Sequence, residues 1–294
     1  MFREFYEWYT KKLRKSPLIV IAGSLVALFA AVGSIYSGVH AISDFSNFIK
    51  SHYFENQFLY EKLEKINTGL NIDFIETIIE KPAIVKKLPS QLTDYVKTEK
   101  GDWIENNTPS GLENYTERIY IHKKYFIQLI INNDGIIVSY AVTIRDSEFN
   151  PKIPIEIYHG DKEGKIYPYI FNLRLGKAKL TDIKDYEPEE INISNWGMNY
   201  FYIESHYFGN PGFYKHYLLA LSPSGCCIGE NIGYKLVELG DEEDKSIKNN
   251  KIAEFRKVIT PNTFAVINGW ENENLLKYFI KEGVGPNYYD IREF

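Results

Sequence analysis

The residues best suited to chemistry in this sequence lie in one short stretch, ESHYFGNPGFYKHY, residues 204–217. Glu204 and His206 are two positions apart, which places them on one face of a strand, where a carboxylate can orient an imidazole. His216 follows an Asn-Pro-Gly turn and is expected to return beside them. Metal binding needs a third or fourth ligand that the sequence does not nominate, so we predict no metal site and no catalytic residue.

Aromatic side chains surround that turn, whereas an ordinary turn is polar. Proline fixes φ and glycine accepts a positive φ, so the sequence has the chemistry of a tight corner. Aromatic rings at an exposed tip are typical of contact surfaces. We therefore predict a projecting hairpin that binds a protein partner, with Glu204, His206 and His216 as its polar rim; the alternative is that the rings fold back into the core. The predicted partner-binding residues are Tyr207, Phe208, Asn210, Phe213 and Tyr214.

Several functional classes are disfavoured by what the sequence lacks. It contains no phosphate loop, no Gly-x-Ser-x-Gly and no His-Glu-x-x-His motif. A net charge of −5 gives no electrostatic footprint for nucleic acid. The glycine-rich GCCIGENIG follows a hairpin and precedes a predicted strand, unlike a dinucleotide-binding loop. We predict an interaction or sensing module without a cofactor, not an enzyme; a membrane-anchored enzyme or small-ligand receptor that uses Glu204, His206 and His216 is the alternative.

The two cysteines of the chain, Cys226 and Cys227, are adjacent. Neighbouring cysteines rarely bridge each other, because the ring is strained and the Cβ vectors in a strand point apart. This spacing excludes a disulfide framework and a cysteine-based zinc site of familiar form. We predict that both are packing residues.

A long apolar segment near the N-terminus predicts a membrane helix. Residues 16–43 contain no Asp, Glu, Lys or Arg, and about 20 apolar residues suffice to cross a bilayer. We predict an uncleaved signal anchor over 17–42; a signal peptide has a shorter apolar region of ~7–15 residues, and a core helix has a polar side. Small residues at three- and four-residue steps favour a homodimer, although they are also simply frequent in spanning helices. The predicted helix–helix contacts are Gly23, Ala27, Ala31, Ser34 and Gly38.

Basic residues set the expected orientation of that helix. Residues 1–16, a basic and aromatic segment, carry a net charge of +3, and the comparable region after the helix offers only Lys50 and Lys62. By the positive-inside rule, the N-terminus is cytoplasmic and the body lies outside the cytoplasm. We predict a single-pass protein of the bacterial inner membrane.

The remaining chain is expected to form a stalk and an α+β body. A helical period predicts a stalk over 43–68. Residues 69–150 and 151–240 then share a pattern: a glycine opens a short helical turn, and Tyr-rich strands meet across a glycine turn. That turn is at Gly135 in the first copy and at Gly225 in the second, where CCIGENIGYKLVEL is predicted as the following strand. We predict two helix-plus-antiparallel-hairpin repeats, followed by an acidic loop and a C-terminal helical region over 241–294.

Two resemblances accompany these patterns. GLNIDFIETIIEKP followed by RIYIHKKYFIQLIINNDGIIVSYAVT is similar to the small helix–hairpin domain of the SmpA/OmlA outer-membrane lipoprotein type. That resemblance implies a scaffold for protein contacts, although the lipoprotein cysteine is missing and a membrane helix stands in its place. The N-terminal span together with LRLGKAKLTDI and ESHYFGNPGFYKHY resembles a family of single-pass bacterial membrane proteins named after an enterotoxigenic E. coli locus (ETEC-type domain). This second resemblance covers most of the chain and implies no catalytic residue.

Overall fold

A computed structural model describes residues 55–97, 103–160, 166–183, 186–196, 199–210, 212–228, 230–269 and 272–292. The chain divides into two compact units, Met1–Leu59 and Tyr60–Phe294. The predicted cytoplasmic segment, membrane helix and helix–helix contacts, with residues 43–54 of the stalk, lie outside the described residues. Within the described ranges, no helix combines the length and the apolar character that a membrane crossing requires.

Twelve strands are described in the second unit, and eight of them form one antiparallel sheet. In chain order the strands are β1 (Ile84–Lys87), β2 (Gln91–Lys97), β3 (Trp103–Pro109), β4 (Thr116–Ile121), β5 (Tyr125–Ile131), β6 (Ile137–Ile144), β7 (Glu156–Gly160), β8 (Ile166–Ile170), β9 (Glu190–Trp196), β10 (Asn199–Phe208), β11 (Lys215–Leu221) and β12 (Thr263–Asn268). The large sheet has the order β1-β4-β5-β6-β12-β11-β10-β9. The pairs β2-β3 and β7-β8 form separate two-stranded ribbons.

Short helices precede, connect and follow these strands. They are α1 (Glu55–Leu63), α2 (Ile72–Glu76), α3 (Glu230–Gly240), α4 (Lys245–Val258), α5 (Glu273–Glu282) and α6 (Tyr288–Ile291), with a 3-10 turn at Leu180–Asp182. Asp244 starts α4, because its carboxylate accepts the backbone N–H groups of Ser246 and Ile247 at 2.8 and 3.1 Å. The predicted acidic loop is therefore shorter than expected, since the chain is helical from Lys245 onward.

Both faces of the large sheet are buried at its centre. Successive side chains of a strand alternate between the faces, and every residue of β5 and β6 is buried. On the first face, named here the α5 face, strand residues pack against α5 in one apolar cluster, which includes Phe201, Leu218, Ala265, Leu275 and Phe279. On the second, named here the α4 face, the ring of Tyr202 lies 5.1 Å from that of Phe255 in α4.

The predicted α+β class is confirmed, and so are the hairpin around Gly135 and the hairpin at the Asn-Pro-Gly corner. The hairpin predicted across Gly225 is wrong, because the chain that follows is helical from Glu230. Strands β5 and β6 pair around Asn133-Asp134-Gly135, and β10 pairs with β11 across the Asn-Pro-Gly corner. Strands β4 to β6 and β9 to β11 each form a meander within the same sheet, separated by β12. Their origin as a duplicated unit stays a prediction.

Two sequence-based assignments after residue 225 are wrong. The strand predicted across CCIGENIGYKLVEL is in fact α3, which places Leu236 and Leu239 in the core. Thr263–Asn268, in the region predicted as helical, is strand β12 at the centre of the sheet. Pairing on both sides with β6 and β11 overrides the weak local preference of this short apolar run.

Candidate functional site

Glu204 and His206 share one face of β10, as predicted, but they lie inside the protein. Both point toward the α4 face, and neither side chain is exposed to solvent. Glu204 Oε1 accepts hydrogen bonds from the Tyr202 hydroxyl at 2.6 Å and from Arg256 Nε at 2.7 Å. His206 Nε2 lies 3.4 Å from the other carboxylate oxygen. The pair belongs to a buried ionic network between β10 and α4.

His216 does not join this network, and the predicted polar rim is corrected. The register pairs His206 with Tyr217 and Tyr207 with His216. Since paired residues of antiparallel strands share a face, His216 lies on the α5 face, opposite Glu204 and His206. It is only 8% exposed, and burial lowers the pKa of its imidazole, opposed by the negative charge of Glu273. The three residues therefore form no common cluster and no rim.

Arg256 is the member of the ionic network that the sequence did not nominate. It comes from the last turn of α4, and its Nη1 also donates to Glu187 at 2.7 Å. Burial alone lowers the pKa of Arg256, but the carboxylates of Glu204 and Glu187 outweigh burial and raise it. Burial, together with the adjacent Glu204, raises the pKa of Tyr202. Glu187 is largely exposed at the outer end of the network, whereas Glu204 and His206 are fully buried, and Arg256 between them attaches α4 to the sheet.

The predicted partner-binding residues divide into buried and exposed groups. Phe208 is 9% exposed and packs between the rings of His206 and Tyr186, at 5.5 and 5.2 Å. Phe213, in contrast, is 76% exposed at the tip of the hairpin. The remaining members are intermediate: Tyr207 is half-buried, Tyr214 stacks on it at 5.0 Å and stays 37% exposed, and Asn210 is half-buried. The exposed aromatic surface of this corner therefore consists of Phe213 and part of Tyr214.

A cavity of about 250 Å³ opens on the α4 face beside this hairpin. Its floor is aromatic: Tyr140 of β6 and Tyr217 of β11 lie in one row with Val266 of the intervening strand. Phe264 meets Tyr140 edge to face, with 6.0 Å between ring centroids. Tyr60 of α1 and the segment before β7 form the walls. The cavity is thus a concave site whose floor lies on the central strands of the sheet, and concave sites of this kind are typical of small-molecule binding.

Charged side chains of both signs also line this cavity. They are Lys215, Lys152, Glu156 and Glu64. Lys215 Nζ donates to Asn67 Oδ1 at 3.0 Å. Burial lowers the pKa of the Lys215 ammonium, and the charge of Glu156 opposes that shift. Burial also raises the pKa of the Tyr217 hydroxyl well above its usual value; the negative charge of Glu156 strengthens this shift, and a backbone hydrogen bond with Glu156 opposes it. The cavity therefore presents cations and anions above neutral phenols, and Lys215 is the cation whose pKa burial lowers.

Sequence reasoning missed this cavity for an identifiable reason. Lys215 and Tyr217 alternate along β11 and were already recognisable as same-face residues. Their partners across the sheet come through β12, which was not predicted as a strand. The residues that complete the cavity, such as Glu156 and Tyr60, approach from distant parts of the chain and have no local signal.

Cys226 and Cys227 form a disulfide with each other, which corrects the prediction that they are packing residues. The prediction assumed a strand, in which adjacent Cβ vectors point apart. The segment is instead a turn after β11, and Cys227 adopts φ +73°, the one positive φ of a non-glycine residue in the described part of the chain. This left-handed backbone conformation permits the adjacent side chains to meet.

The fold and the cavity define an α+β protein with a large antiparallel sheet and a ligand-sized pocket. Within the described ranges, no three His, Cys, Asp or Glu side chains are grouped so as to hold a metal ion. A scan against protein-family models and searches of curated proteins and of solved structures found no match. The resemblances to the ETEC-type and SmpA/OmlA families therefore stay predictions.

Proposed function

We propose that this protein is a sensing module that binds a small zwitterionic molecule in the cavity beside the β10-β11 hairpin. One observation carries the proposal: Lys215 and Glu156 flank an aromatic floor formed by Tyr140 and Tyr217. Lys215 takes Asn67 rather than Glu156 as its hydrogen-bond acceptor. An ammonium has three donors, so Lys215 keeps donors for a ligand carboxylate, while Glu156 offers a carboxylate for a ligand ammonium.

The size and lining of the cavity narrow the class of ligand. At about 250 Å³ it is slightly smaller than the ~300–1,000 Å³ of typical ligand pockets, so a small molecule fits it best. Its floor offers aromatic faces, which favour an apolar body or a cation placed over a ring. An α-amino acid with an apolar or aromatic side chain satisfies both charges and the floor. This class replaces the alternative in which Glu204, His206 and His216 bind the ligand, because those groups are buried and lie on two different faces.

The same strand links the cavity to the surface that we propose for partner docking. Lys215 lines the cavity, and Phe213 and Tyr214 immediately precede it in the chain. A ligand that orders Lys215 therefore acts two residues from the exposed Phe213 ring. Aromatic side chains that are exposed at rigid corners are typical anchors of protein interfaces. Protein docking at Phe213 and Tyr214 is the output that this arrangement favours.

A thermal-shift screen tests the ligand proposal. The full chain is incubated with a panel of L-α-amino acids at millimolar concentration, beside the Lys215→Met variant and a control variant, Lys177→Met, which lies outside the cavity. A ligand that binds only the folded state raises the melting temperature in proportion to its occupancy. We expect at least one apolar or aromatic amino acid to stabilise the wild type and Lys177→Met but not Lys215→Met. A panel without any Lys215-dependent stabilisation would contradict the proposal.

We further propose that residues 17–42 anchor the module in the bacterial inner membrane, with the body outside the cytoplasm. The uncharged apolar run and the basic residues before it support this location. In that arrangement, the cavity samples small molecules on the outer side of the membrane. Self-association through Gly23 and Ala27 belongs to the same proposal.

A further inference from the structure

We infer that the Cys226–Cys227 disulfide is a site of thiol–disulfide exchange with small anionic thiols. The two sulfurs are bonded to each other, and the pair lies in a shallow surface depression. Cys227 is exposed, whereas Cys226 is half-buried. An incoming thiol therefore reaches the sulfur of Cys227 first. The site is separate from the ligand cavity and does not depend on the function proposed for it.

Cationic side chains surround this disulfide. Lys123, Lys124 and Arg145 line the same depression, together with Asp146. Arg145 is held in place, because its guanidinium lies 4.4 Å from the centre of the Phe126 ring and its Nη1 donates to the His122 carbonyl at 3.0 Å. Positive charge next to a cysteine stabilises the thiolate, which makes that cysteine a better leaving group. The same charges attract thiols that carry carboxylates.

The backbone around Cys226 is anchored, and that of Cys227 is under strain. The N–H of Cys226 donates to the Ile144 carbonyl at 2.8 Å, and Asn262 Nδ2 donates to the Cys226 carbonyl at 3.1 Å. Cys227 has φ +73°, in the left-handed region that costs an L-residue free energy. Opening the disulfide removes the covalent tie that accompanies this conformation. The arrangement thus combines a fixed leaving group with an accessible, conformationally strained partner.

The exchange balances with two equivalents of thiol. A thiolate of the reagent attacks Sγ of Cys227, the Sγ–Sγ bond breaks, and its electron pair leaves on Cys226 as a thiolate. A second reagent thiolate attacks the reagent sulfur of the resulting mixed disulfide and releases the Cys227 thiolate. Two reagent thiols are oxidised to one disulfide, the protein disulfide gains two electrons, and the protons released on ionisation of the reagent return to the protein thiolates. The cationic depression favours a reagent of the glutathione type, a low-molecular-weight thiol with net negative charge.

Reaction rates with differently charged thiols test this inference. The full chain, purified without reductant, is treated with glutathione or with neutral 2-mercaptoethanol, and the free and mixed-disulfide forms are quantified by mass spectrometry after alkylation. Because the two reagents differ in intrinsic reactivity, the measured quantity is the ratio of their rate constants. We expect this ratio to fall about tenfold in Lys123→Gln/Lys124→Gln/Arg145→Gln, since steering by local charge of this kind changes association rates by ~10-fold or more.

A matched variant controls for net charge. Lys245→Gln/Lys248→Gln/Lys251→Gln, at the start of α4, removes the same charge away from the disulfide and is expected to keep the wild-type ratio. High salt should lower the ratio in the wild type and in this control toward that of the first variant. An unchanged ratio in the first variant would overturn the inference. The inference would also be overturned if both cysteines of the folded, unreduced chain reacted with iodoacetamide and formed no disulfide with each other in the presence of oxidised glutathione.

Discussion

Arg256 Nε donates a hydrogen bond of 2.7 Å to Glu204 Oε1 in the interface between α4 and the central sheet. The two residues are 52 positions apart in sequence, and the Glu204 side chain has no solvent exposure. A buried ion pair of this kind contributes little stability compared with an apolar pair of the same shape. Removing only one partner, however, is strongly destabilising, because it leaves the other charge buried and unpaired. This contact explains why Glu204, which begins the stretch 204–217 that is best suited to chemistry, has a structural role.

Breaking this pair should destabilise the fold. Arg256→Met leaves Glu204 buried without its cation, and we expect the free energy of unfolding to fall by about 3 to 5 kcal/mol, measured by urea denaturation. The double variant Arg256→Met/Glu204→Met should recover most of that loss, because no uncompensated charge is left. If both variants were as stable as the wild type, the network would carry no structural role.

The stability of the folded chain should depend on His216 below neutral pH. Burial lowers the pKa of His216 in the folded state, so the unfolded chain, with an ordinary value of 6.5, binds the proton first. Stability is therefore complete above pH 6.5 and is lost as the pH falls through 6.5 toward the lower folded value. The free energy of unfolding of each protein is compared with its own value at pH 8. Between pH 7 and pH 5 this free energy should decline less in His216→Gln than in the wild type. An identical decline in the variant would exclude His216 as its source.

The two phenylalanines of the hairpin should behave differently on replacement. Phe208 is enclosed by His206, Tyr186 and Tyr217, so Phe208→Ala should lower the free energy of unfolding by about 3 to 5 kcal/mol. Phe213→Ala, at the exposed tip, should change it by no more than about 0.5 kcal/mol. For the proposed docking surface, Phe213→Ala should instead abolish recovery of a cross-linked membrane partner. Equal losses of stability would show that the tip packs as core.

The orientation of the chain follows from the proposed anchor. A reporter that is active only outside the cytoplasm, fused after Phe294, is expected to be active, because the basic cluster before Pro17 outweighs the charges that follow residue 42. Gly23→Leu/Ala27→Leu should keep that activity while weakening self-association in a membrane two-hybrid assay. An expressed but silent fusion would reverse the orientation.

The sequence predicted those parts of the fold whose signals are local. The β5-β6 hairpin was recognised because Asn-Asp-Gly is itself a turn signal between alternating strands. Helix α3 also has a local signal, with Ile232, Leu236 and Leu239 at helical spacing, but Gly233 within it is also part of the glycine-rich GCCIGENIG, which obscures that signal. In contrast, Thr263–Asn268 is too short for its period to distinguish a strand from a helix.

The candidate site was less predictable, because its members meet only through the sheet. The spacing of Glu204 and His206 correctly placed both on one face, but neither burial nor the partner Arg256 can be inferred from spacing. The predicted face of His216 is wrong because it depends on the register between β10 and β11, and a shift of one residue in that register moves a side chain to the opposite face. The disulfide of Cys226 and Cys227 depends on the positive φ of Cys227, which the residue types at these positions do not predict.

The most direct test of the ligand proposal is calorimetric titration of the cavity with a charge-matched series. The series consists of the amino acid that stabilises the full chain most, its carboxamide, which lacks the carboxylate, and its N-acetyl form, which lacks the ammonium. We expect saturable one-to-one binding of the amino acid and at least ~10-fold weaker binding of both derivatives, since each loses a charge-assisted hydrogen bond of about 1.5 to 3 kcal/mol. In Lys215→Met the amino acid and its carboxamide should bind equally weakly, whereas Lys177→Met should reproduce the wild type. Absence of saturable binding would contradict the ligand proposal, and so would the same preference for the free carboxylate in Lys215→Met as in the wild type.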